Sequence, residues 1–375
     1  MTTDDDDAPL RTLERDGFVA RPADLDDAPA MLRVIEAAFS DWPSVETDVA
    51  PIEFLQWKMS SPYVVPGQHS VVEHDGEIVV VKPRWVARAQ LYGKQHVTDA
   101  GCDFAVLPAF RERGLSRLLN DYEDQGLRPS GRLFLGLGSK APEVEHMSLQ
   151  HSAQIGHVGL PLRVWVRPLR ARSHLSTALR GGGIRRALPA LVRALTDRGA
   201  ARGRSEDVSS VVEFDRFDER ADALWNATHD HFDFATIRNA EYLNWRYADR
   251  RAGRRTLLAR YEGDELLAYT VLQPNGDVLE LSDWLVHPAH ERAGIEVFQH
   301  CVEIGRARGA SLLVAWLPPG HWDEPALAAA GFAVTRETLE VRHKPPRGVD
   351  APEELAQLAR LDMREHVTLG DFDFG

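Results

Sequence analysis

A long internal repeat constrains this chain more than any other feature of its sequence. Three segments recur in the same order: residues 53–59 at 241–247, residues 74–78 at 261–266, and residues 105–110 at 285–290. The offset between the copies is about 180 to 190 residues, which is the length of a whole domain rather than of a short motif. The repeat therefore predicts two copies of one domain, and a charge difference between the copies indicates which one carries a function.

The composition fits a globular protein with two cores. The chain has 375 residues, of which 43% are hydrophobic and 27% charged, enough for two domains. No apolar run approaches the ~20 residues that span a bilayer, and the acidic N-terminus does not resemble a secretory signal. We therefore expect a cytoplasmic protein without a membrane span.

Charge and cysteine content restrict the partners. The net charge of −13 argues against nucleic-acid binding by the surface as a whole. The two cysteines, Cys102 and Cys301, are too few for a disulfide framework or a zinc site. We expect no metal.

Hydrophobic periodicity predicts one α/β order in both copies: strand, helix, antiparallel meander, helix, strand, helix, strand. Asp75-Gly76 predicts a hairpin turn within the first meander. A strand over 102–107 ends at Pro108, and a helix over 112–125 follows, closed by Gly126. The predicted fold class is α/β (α+β), with a mixed central sheet flanked by helices.

These patterns divide the chain into five parts. They are an acidic tail at 1–16, a first domain at 17–168, a connector at 169–207, a second domain at 208–345 and a C-terminal tail at 346–375 that we expect to fray. Residues 167–204 hold ten arginines and one acid. This segment is either a solvated surface or a basic flap that binds an anionic substrate, tRNA or a lipid headgroup.

The turn after the strand over 102–107 has the features of an anion site. The sequence Phe110-Arg-Glu-Arg-Gly-Leu-Ser116 leads from the strand into an amphipathic helix. The first turn of a helix leaves N–H groups unpaired and carries partial positive charge. Gly114 permits close backbone approach, and Arg111 and Arg113 add charge. A diphosphate fits such a site.

Residues 106–119 closely resemble the acyl-CoA motif Q/R-x-x-G-x-G/A of the GCN5-related N-acetyltransferase (GNAT) superfamily, with Ser116 in place of the last small residue. Gly156-His157 and Gly331-Phe332 fit the family's "lGF" position in the two copies. The stretch 156–168 resembles members associated with polysaccharide biosynthesis. The resemblance implies two tandem GNAT-like acyl-CoA N-acyltransferase domains and acetyl-CoA as co-substrate.

The resemblance also implies residue roles. Backbone groups of Phe104 and Val106 would bind the pantetheine arm, and the Val106 N–H would polarise the thioester carbonyl. The pyrophosphate would lie near Arg111, on the backbone amides of four successive residues: Arg113, Gly114, Leu115 and Ser116.

The second copy departs from this pattern. Glu291, Ala293 and Glu296 stand where the first copy has Arg111, Arg113 and Ser116. Carboxylates at the start of a helix repel a phosphate, and no nearby residue is expected to compensate them. We therefore predict that only the first copy binds acyl-CoA, and that the glycine of the second copy serves packing.

The catalytic proton donor and acceptor are less defined by the sequence. His151 and Ser152 lie where many family members place the tyrosine that protonates the leaving thiolate, and His151 has a suitable pKa. Asp103 precedes the cofactor strand and is a candidate base. Further base candidates on the central strands are Asp99, Glu73 and His96.

Aromatic residues divide into repeated and unrepeated ones. Phe54, Trp57, Tyr63 and their counterparts recur in both copies, which favours core packing. Trp42 and Trp85 have no counterpart and are candidates for an acceptor cleft.

The resulting functional hypothesis is an N-acetyltransferase that moves an acetyl or short acyl group from CoA directly to an amine of a small molecule or amino sugar. Two alternatives stay open: an aminoacyl-tRNA-dependent (Fem-like) transferase and a non-catalytic acyl-CoA-binding protein. The chain would be a monomer with two pseudo-symmetric domains, or a homodimer.

Overall fold

The computed structural model describes residues 12–64, 67–126, 133–137, 158–169, 211–344 and 364–372. The first copy contains the strands β1 (Leu13–Arg15), β2 (Phe18–Ala23), β3 (His69–His74), β4 (Glu77–Lys82), β5 (Arg84–Leu91), β6 (Lys94–Gly101), β7 (Ala105–Val106), β8 (Leu133–Leu137) and β9 (Val158–Pro168). Its helices are α1 (Ala28–Ala38), α2 (Pro51–Met59) and α3 (Leu115–Gly126).

The second copy repeats this order, as the sequence predicts. Its strands are β10 (Val211–Phe214), β11 (Phe234–Thr236), β12 (Thr256–Glu262), β13 (Glu265–Asn275), β14 (Val278–Val286), β15 (Leu312–Leu317), β16 (Ala333–Lys344) and β17 (Glu365–His366). Its helices are α4 (Glu219–Thr228), α5 (Ala240–Leu243), α6 (Glu291–Ala307) and α7 (Glu324–Ala329). Helices and mixed sheets alternate, so the predicted α/β (α+β) class is confirmed.

A long bent hairpin connects two sheets in the first copy. Its proximal part pairs β4 with β7 and lies in the sheet β1-β2-β3-β4-β7. Its distal part pairs β5 with β6 and lies in the large sheet shared with the second copy. The prediction of one continuous strand over 102–107 is therefore wrong. Asp103 has a φ of 43°, a left-handed conformation that interrupts a strand.

The two copies exchange their last strands. Among the described strands, β9 of the first copy lies between β15 and β16 of the second, and β16 lies between β8 and β9 of the first. Each exchanged strand forms antiparallel pairs with its neighbours on both sides. The predicted boundary at residue 168 thus follows a strand that completes the other copy's sheet, and the two halves share one continuous sheet.

The repeated tryptophans meet on the pseudo-symmetry axis. Trp57 Nε1 donates to the Trp245 carbonyl at 2.8 Å, and Trp245 Nε1 donates to the Trp57 carbonyl at 3.2 Å. Their rings stack with centroids 5.4 Å apart. The repeated aromatic residues therefore form the contact between the copies, which confirms core packing.

Both predicted tails extend too far into structured regions. At the N-terminus, Leu13–Arg15 pair with β2, closing a hairpin through Asp16 and Gly17, which both have positive φ. At the C-terminus, residues 365–372 are buried instead of frayed, and β17 pairs in parallel with β11. Backbone pairing and burial of this segment outweigh the entropy that frays a free terminus. No helix in the described part of the chain is long and apolar enough to cross a membrane.

Candidate active site

The first copy has two parallel strands that separate after a short paired stretch. The described residues of β6 and β8 pair only at Thr98↔Leu133 and Asp99↔Phe134. Beyond the break at Asp103, β7 pairs with β4 on its other side and not with β8. The result is a V-shaped opening, and the backbone of β7 forms one of its walls.

The Val106 amide is directed towards this opening. Leu107 N–H donates to the Val79 carbonyl at 2.9 Å, so in the pair Val80↔Val106 the backbone groups point away from the partner strand. The Val106 N–H therefore faces away from β4. This orientation is the one that an oxyanion donor on this strand requires.

The predicted anion cradle lies just beyond this strand. Gly114 has a φ of 72° and Glu112 a φ of 65°, so the chain turns sharply before α3 begins at Leu115. A Cβ at Gly114 would meet nothing within 4 Å, which leaves the backbone accessible to a ligand. Gly114 O accepts the first helical bonds from Arg117 and Leu118, so the Leu115 and Ser116 amides precede the helical ladder.

Exposed cations surround this turn. Arg111, Arg113 and Arg117 are exposed and Ser116 is half-buried. The Arg113 guanidinium lies 5.2 Å from the Phe110 ring centroid, which holds its charge beside the turn. The cradle thus combines unpaired amides, a helix N-terminus and positive side chains, the combination that binds phosphate.

The second copy has lost the cradle. Helix α6 begins at Glu291, which aligns with Arg111, so one helical turn replaces the open turn of the first copy. Gly294 lies inside this helix, and a Cβ there would approach the Val286 methyl groups within 3.1 Å. The glycine is thus needed for helix packing, as the sequence predicts.

One expectation about the second copy is wrong: Glu296 is compensated. It accepts from Arg260 Nε at 2.6 Å and from Arg292 Nε at 2.9 Å, and it is buried. Arg260 comes from β12, a strand distant in sequence that the fold brings to α6. The carboxylate side chain occupies the position of Ser116 and fills the space with an ion pair.

The backbone of β14 in the second copy is also engaged by the protein's own side chains. Trp284, which aligns with Phe104, donates its N–H to Asp283 Oδ1 at 2.9 Å, and its carbonyl lies 2.8 Å from His366 Nε2. The Asp323 amide donates to His321 Nδ1 at 3.1 Å. His321 therefore carries its proton on Nε2 and donates to His366 Nδ1 across 2.9 Å. His366 is then the Nε2–H tautomer, which donates to Trp284.

The residues from 364 to 372, here called the C-terminal latch, secure this arrangement. Arg238, 1% exposed, donates to Asp283 at 2.9 Å and to Asp371 at 2.8 Å. A Cβ at Gly370 would overlap the Tyr247 hydroxyl and lie 2.8 Å from the Ser282 carbonyl oxygen, so only glycine fits there.

Asp103 is held by two partners at the strand break. Its Oδ1 accepts from Trp42 Nε1 at 2.9 Å, and its Oδ2 lies 2.5 Å from Lys58 Nζ. Lys58 is 1% exposed, so its buried ion pair with Asp103 holds Asp103 in the left-handed turn. A role for Asp103 as base stays a prediction, although both of its oxygens have hydrogen-bond donors.

The other candidates are dispersed. Glu73 pairs with Arg21 at 2.6 Å, and His96 lies half-buried on β6. Trp85 is buried beneath Arg246, whose guanidinium lies 4.1 Å from the Trp85 ring centroid. Asp99 is placed on β6 by its backbone.

Three predictions fall outside the described residues: the role of His151, the role of Ser152 and the function of the arginine-rich connector. Within the described part, no group of three or more His, Cys, Asp or Glu residues is arranged to hold a metal ion.

Residues 218–332 match the model of the Acetyltransferase (GNAT) family. This match falls on the second copy, whereas the open turn at Gly114 belongs to the first. A search of curated protein sequences found no match for the chain.

Solved structures show the same fold over both copies. N-myristoyltransferase of Saccharomyces cerevisiae with bound myristoyl-CoA has a TM-score of 0.56 and 13% identity, and the match covers 90% of this chain and 85% of that one. A GCN5-related N-acetyltransferase from Anabaena variabilis has a TM-score of 0.54 and 10% identity, with 87% and 72% covered. These structures, each at most 13% identical to this chain, show that both copies have this fold, and the family match extends over residues 218–332 of the second copy.

Proposed function

We propose that the first copy binds acetyl-CoA, or another short acyl-CoA, and transfers the acyl group directly to an amine of a small molecule or amino sugar. The observation that carries this proposal is the combination, in one copy only, of an open strand separation with the cradle at Gly114. A cytoplasmic location stays a prediction of the sequence.

The chemistry rests on positioning and on one oxyanion donor. Pantetheine would lie along β7, with the pyrophosphate at Arg111–Ser116 and the thioester carbonyl at the Val106 N–H. The acceptor nitrogen attacks this carbonyl, the C–S bond breaks, and the thiolate of CoA leaves with a proton. A backbone donor aimed at the developing oxyanion contributes about 2.7–4 kcal/mol in comparable acyl transfers, and alignment of the reactants supplies a further large share.

The test measures the release of free CoA thiol in the presence of a panel of amines and amino sugars. The S. cerevisiae neighbour binds myristoyl-CoA, so acyl-CoAs from two to fourteen carbons are compared to establish chain length. Amine-dependent thiol release with short acyl-CoAs supports the proposal. Acyl-CoA binding without release with any amine would leave a binding protein, and retention of aminoacyl-tRNA without CoA binding would favour the Fem-like alternative.

We predict that one chain binds one acyl-CoA. In the second copy the helix starts one turn earlier, Glu296 fills the cradle and the Trp284 backbone is already bonded. Calorimetric titration with acetyl-CoA should therefore saturate near one per chain. A stoichiometry near two would show that the second copy also binds and would contradict the asymmetry.

A further inference from the structure

A run of arginines in the second copy contains one member without a carboxylate partner. Three arginines between 250 and 254 form ion pairs: Arg250 with Glu53, Arg251 with Asp249, and Arg254 with Asp48 and Glu46. Arg250 and Arg254 are exposed, and Arg251 and Arg255 are half-buried. Arg255 forms no ion pair within the described residues. The fold therefore provides an ion-pair partner for each of these three arginines, whereas Glu280 attracts Arg255 without forming an ion pair with it.

Arg255 is enclosed at its polar end. Its Nη1 donates to the Arg254 carbonyl at 3.0 Å, and its buried Nε has no hydrogen-bond partner in the described part of the chain. Burial, followed by repulsion from Arg246, lowers the pKa of Arg255 to about 9. An arginine is otherwise charged under all ordinary conditions.

Arg246 is the second cation of this site. It is 6% exposed, and it donates to the carbonyl oxygens of Gly370 and Phe372 at 3.2 and 3.0 Å. Its guanidinium lies over the Trp85 ring. Among the described residues it also has no carboxylate partner. Arg246 repels Arg255, and Glu280 attracts Arg255 more weakly. Among the described residues, neither guanidinium forms an ion pair with a carboxylate.

Such an arrangement is unfavourable by itself. An unpaired buried charge is unfavourable, and the repulsion between two like charges adds to its cost. The cation–π contact and the carbonyl bonds satisfy part of Arg246, but the Nε of Arg255 stays open. A bound oxyanion would offset both the burial of the unpaired charge and the repulsion between the two like charges, since a guanidinium binds carboxylate and phosphate with paired N–H donors.

The site lies beside the loop that borders the strand break of the first copy. In the loop between α1 and α2, Trp42 donates to Asp103, and Glu46 accepts from the Arg254 amide at 2.8 Å. A Cβ at Gly253 would approach the Glu46 carbonyl within 3.0 Å. Four residues of chain reach at most about 14 Å. This loop therefore contacts the strand break of the first copy through Trp42 and the arginine run of the second copy through Glu46.

We propose that Arg246 and Arg255 form a binding site for an acidic group of the acceptor, so that the substrate is an amine that also carries a carboxylate or a phosphate. This inference rests on the proposed acyl transfer and narrows its acceptor class. The acyl-CoA site of the first copy delivers the acyl group, and the second copy selects the acceptor by its charge.

The test compares matched acceptors that differ only in this group. The pairs are β-alanine and β-alaninamide, glutamate and its diamide, and O-phosphoethanolamine and ethanolamine, with acetyl-CoA as donor. We expect kcat/KM for the acidic member of at least one pair to exceed that of the neutral member by at least tenfold. The phosphate and carboxylate pairs distinguish the two acidic groups.

The variants are Arg255→Gln and, as matched control, Arg254→Gln. Arg255→Gln should abolish the preference by lowering kcat/KM for the acidic acceptor at least tenfold, while the Kd of acetyl-CoA stays within twofold. Arg254→Gln should keep the preference, because that arginine is exposed and already paired. Equal use of acidic and neutral acceptors by the active wild type, or a preference that survives Arg255→Gln, would overturn the proposal.

Two further arms separate the remaining explanations. If no amine supports thiol release, the proposed function fails, and the anion site is then tested by itself. In that test glutarate, but not glutaramide, should raise the Tm of the wild type and should leave the Tm of Arg255→Gln unchanged. If glutarate does not raise the Tm of the wild type, the anion site is overturned. Phe372 precedes Asp373 in the chain. A preference that appears only in an Asp373→Asn variant would identify the chain's own carboxylate as the occupant and overturn the assignment to the acceptor.

Discussion

Arg111→Glu is expected to weaken acetyl-CoA binding by at least about 100-fold, equivalent to ~2.7 kcal/mol, while the fold stays intact. The substitution gives the first copy the residue that the second copy has at the aligned position. Arg111 is exposed and is the C-cap of the short 3-10 turn before the cradle. The substitution removes a positive charge that attracts the pyrophosphate and adds a carboxylate that repels it. Calorimetry with acetyl-CoA measures the loss.

The control for this variant is Arg33→Glu, which makes the same charge change at an exposed position on α1. It should bind acetyl-CoA within about twofold of the wild type, and both variants should unfold at the wild-type Tm to within a few degrees. Wild-type affinity in Arg111→Glu would show that the pyrophosphate lies elsewhere.

Arg238→Met is expected to destabilise the protein by about 3–5 kcal/mol, because it leaves Asp283 and Asp371 buried together without a cation. Arg238 is 1% exposed and bridges both carboxylates. Burial already raises the pKa of Asp283, and Arg238 acts against this rise. Removing the guanidinium should therefore detach the C-terminal latch from β14 as well as lower the free energy of unfolding.

Urea unfolding at neutral pH measures the effect, and limited proteolysis reports whether the latch is released. The matched control is Arg220→Met, which removes an ion pair with Asp218 whose side chains are 39% and 41% exposed. Such a surface pair contributes at most about 1 kcal/mol. If Arg238→Met were no more destabilising than Arg220→Met, the buried network would not hold the latch.

Much of the architecture could be predicted because it rests on local signals. The hairpin at Asp75-Gly76 needs two residues with positive φ, and both have it. The glycine that precedes α3 follows from a pattern that extends over a few residues. The same is true of the order of helices and strands along each copy. The asymmetry of the two cradles was equally visible, since it lies in the identity of three aligned residues.

The errors share one cause, which is contact between residues distant in sequence. Arg260 neutralises Glu296 from another strand. The latch is buried because Arg238 pairs with Asp371, 133 positions away. The strand break at Asp103 depends on Lys58 and Trp42. None of these pairings leaves a periodic or motif-like trace.

The sequence by itself determined the duplication, the α/β class and the position of the one cradle with a phosphate-binding composition, because repeat spacing, hydrophobic period and residue identity are properties of the linear chain. Only the tertiary structure decided that the two copies exchange strands and share a sheet, that the latch closes the second copy, and that the charge of Arg246 acts on Arg255. These features depend on burial and on which charges meet after folding. The free energy of a buried charge is set by its neighbours in space, and these neighbours are fixed only when the chain is folded.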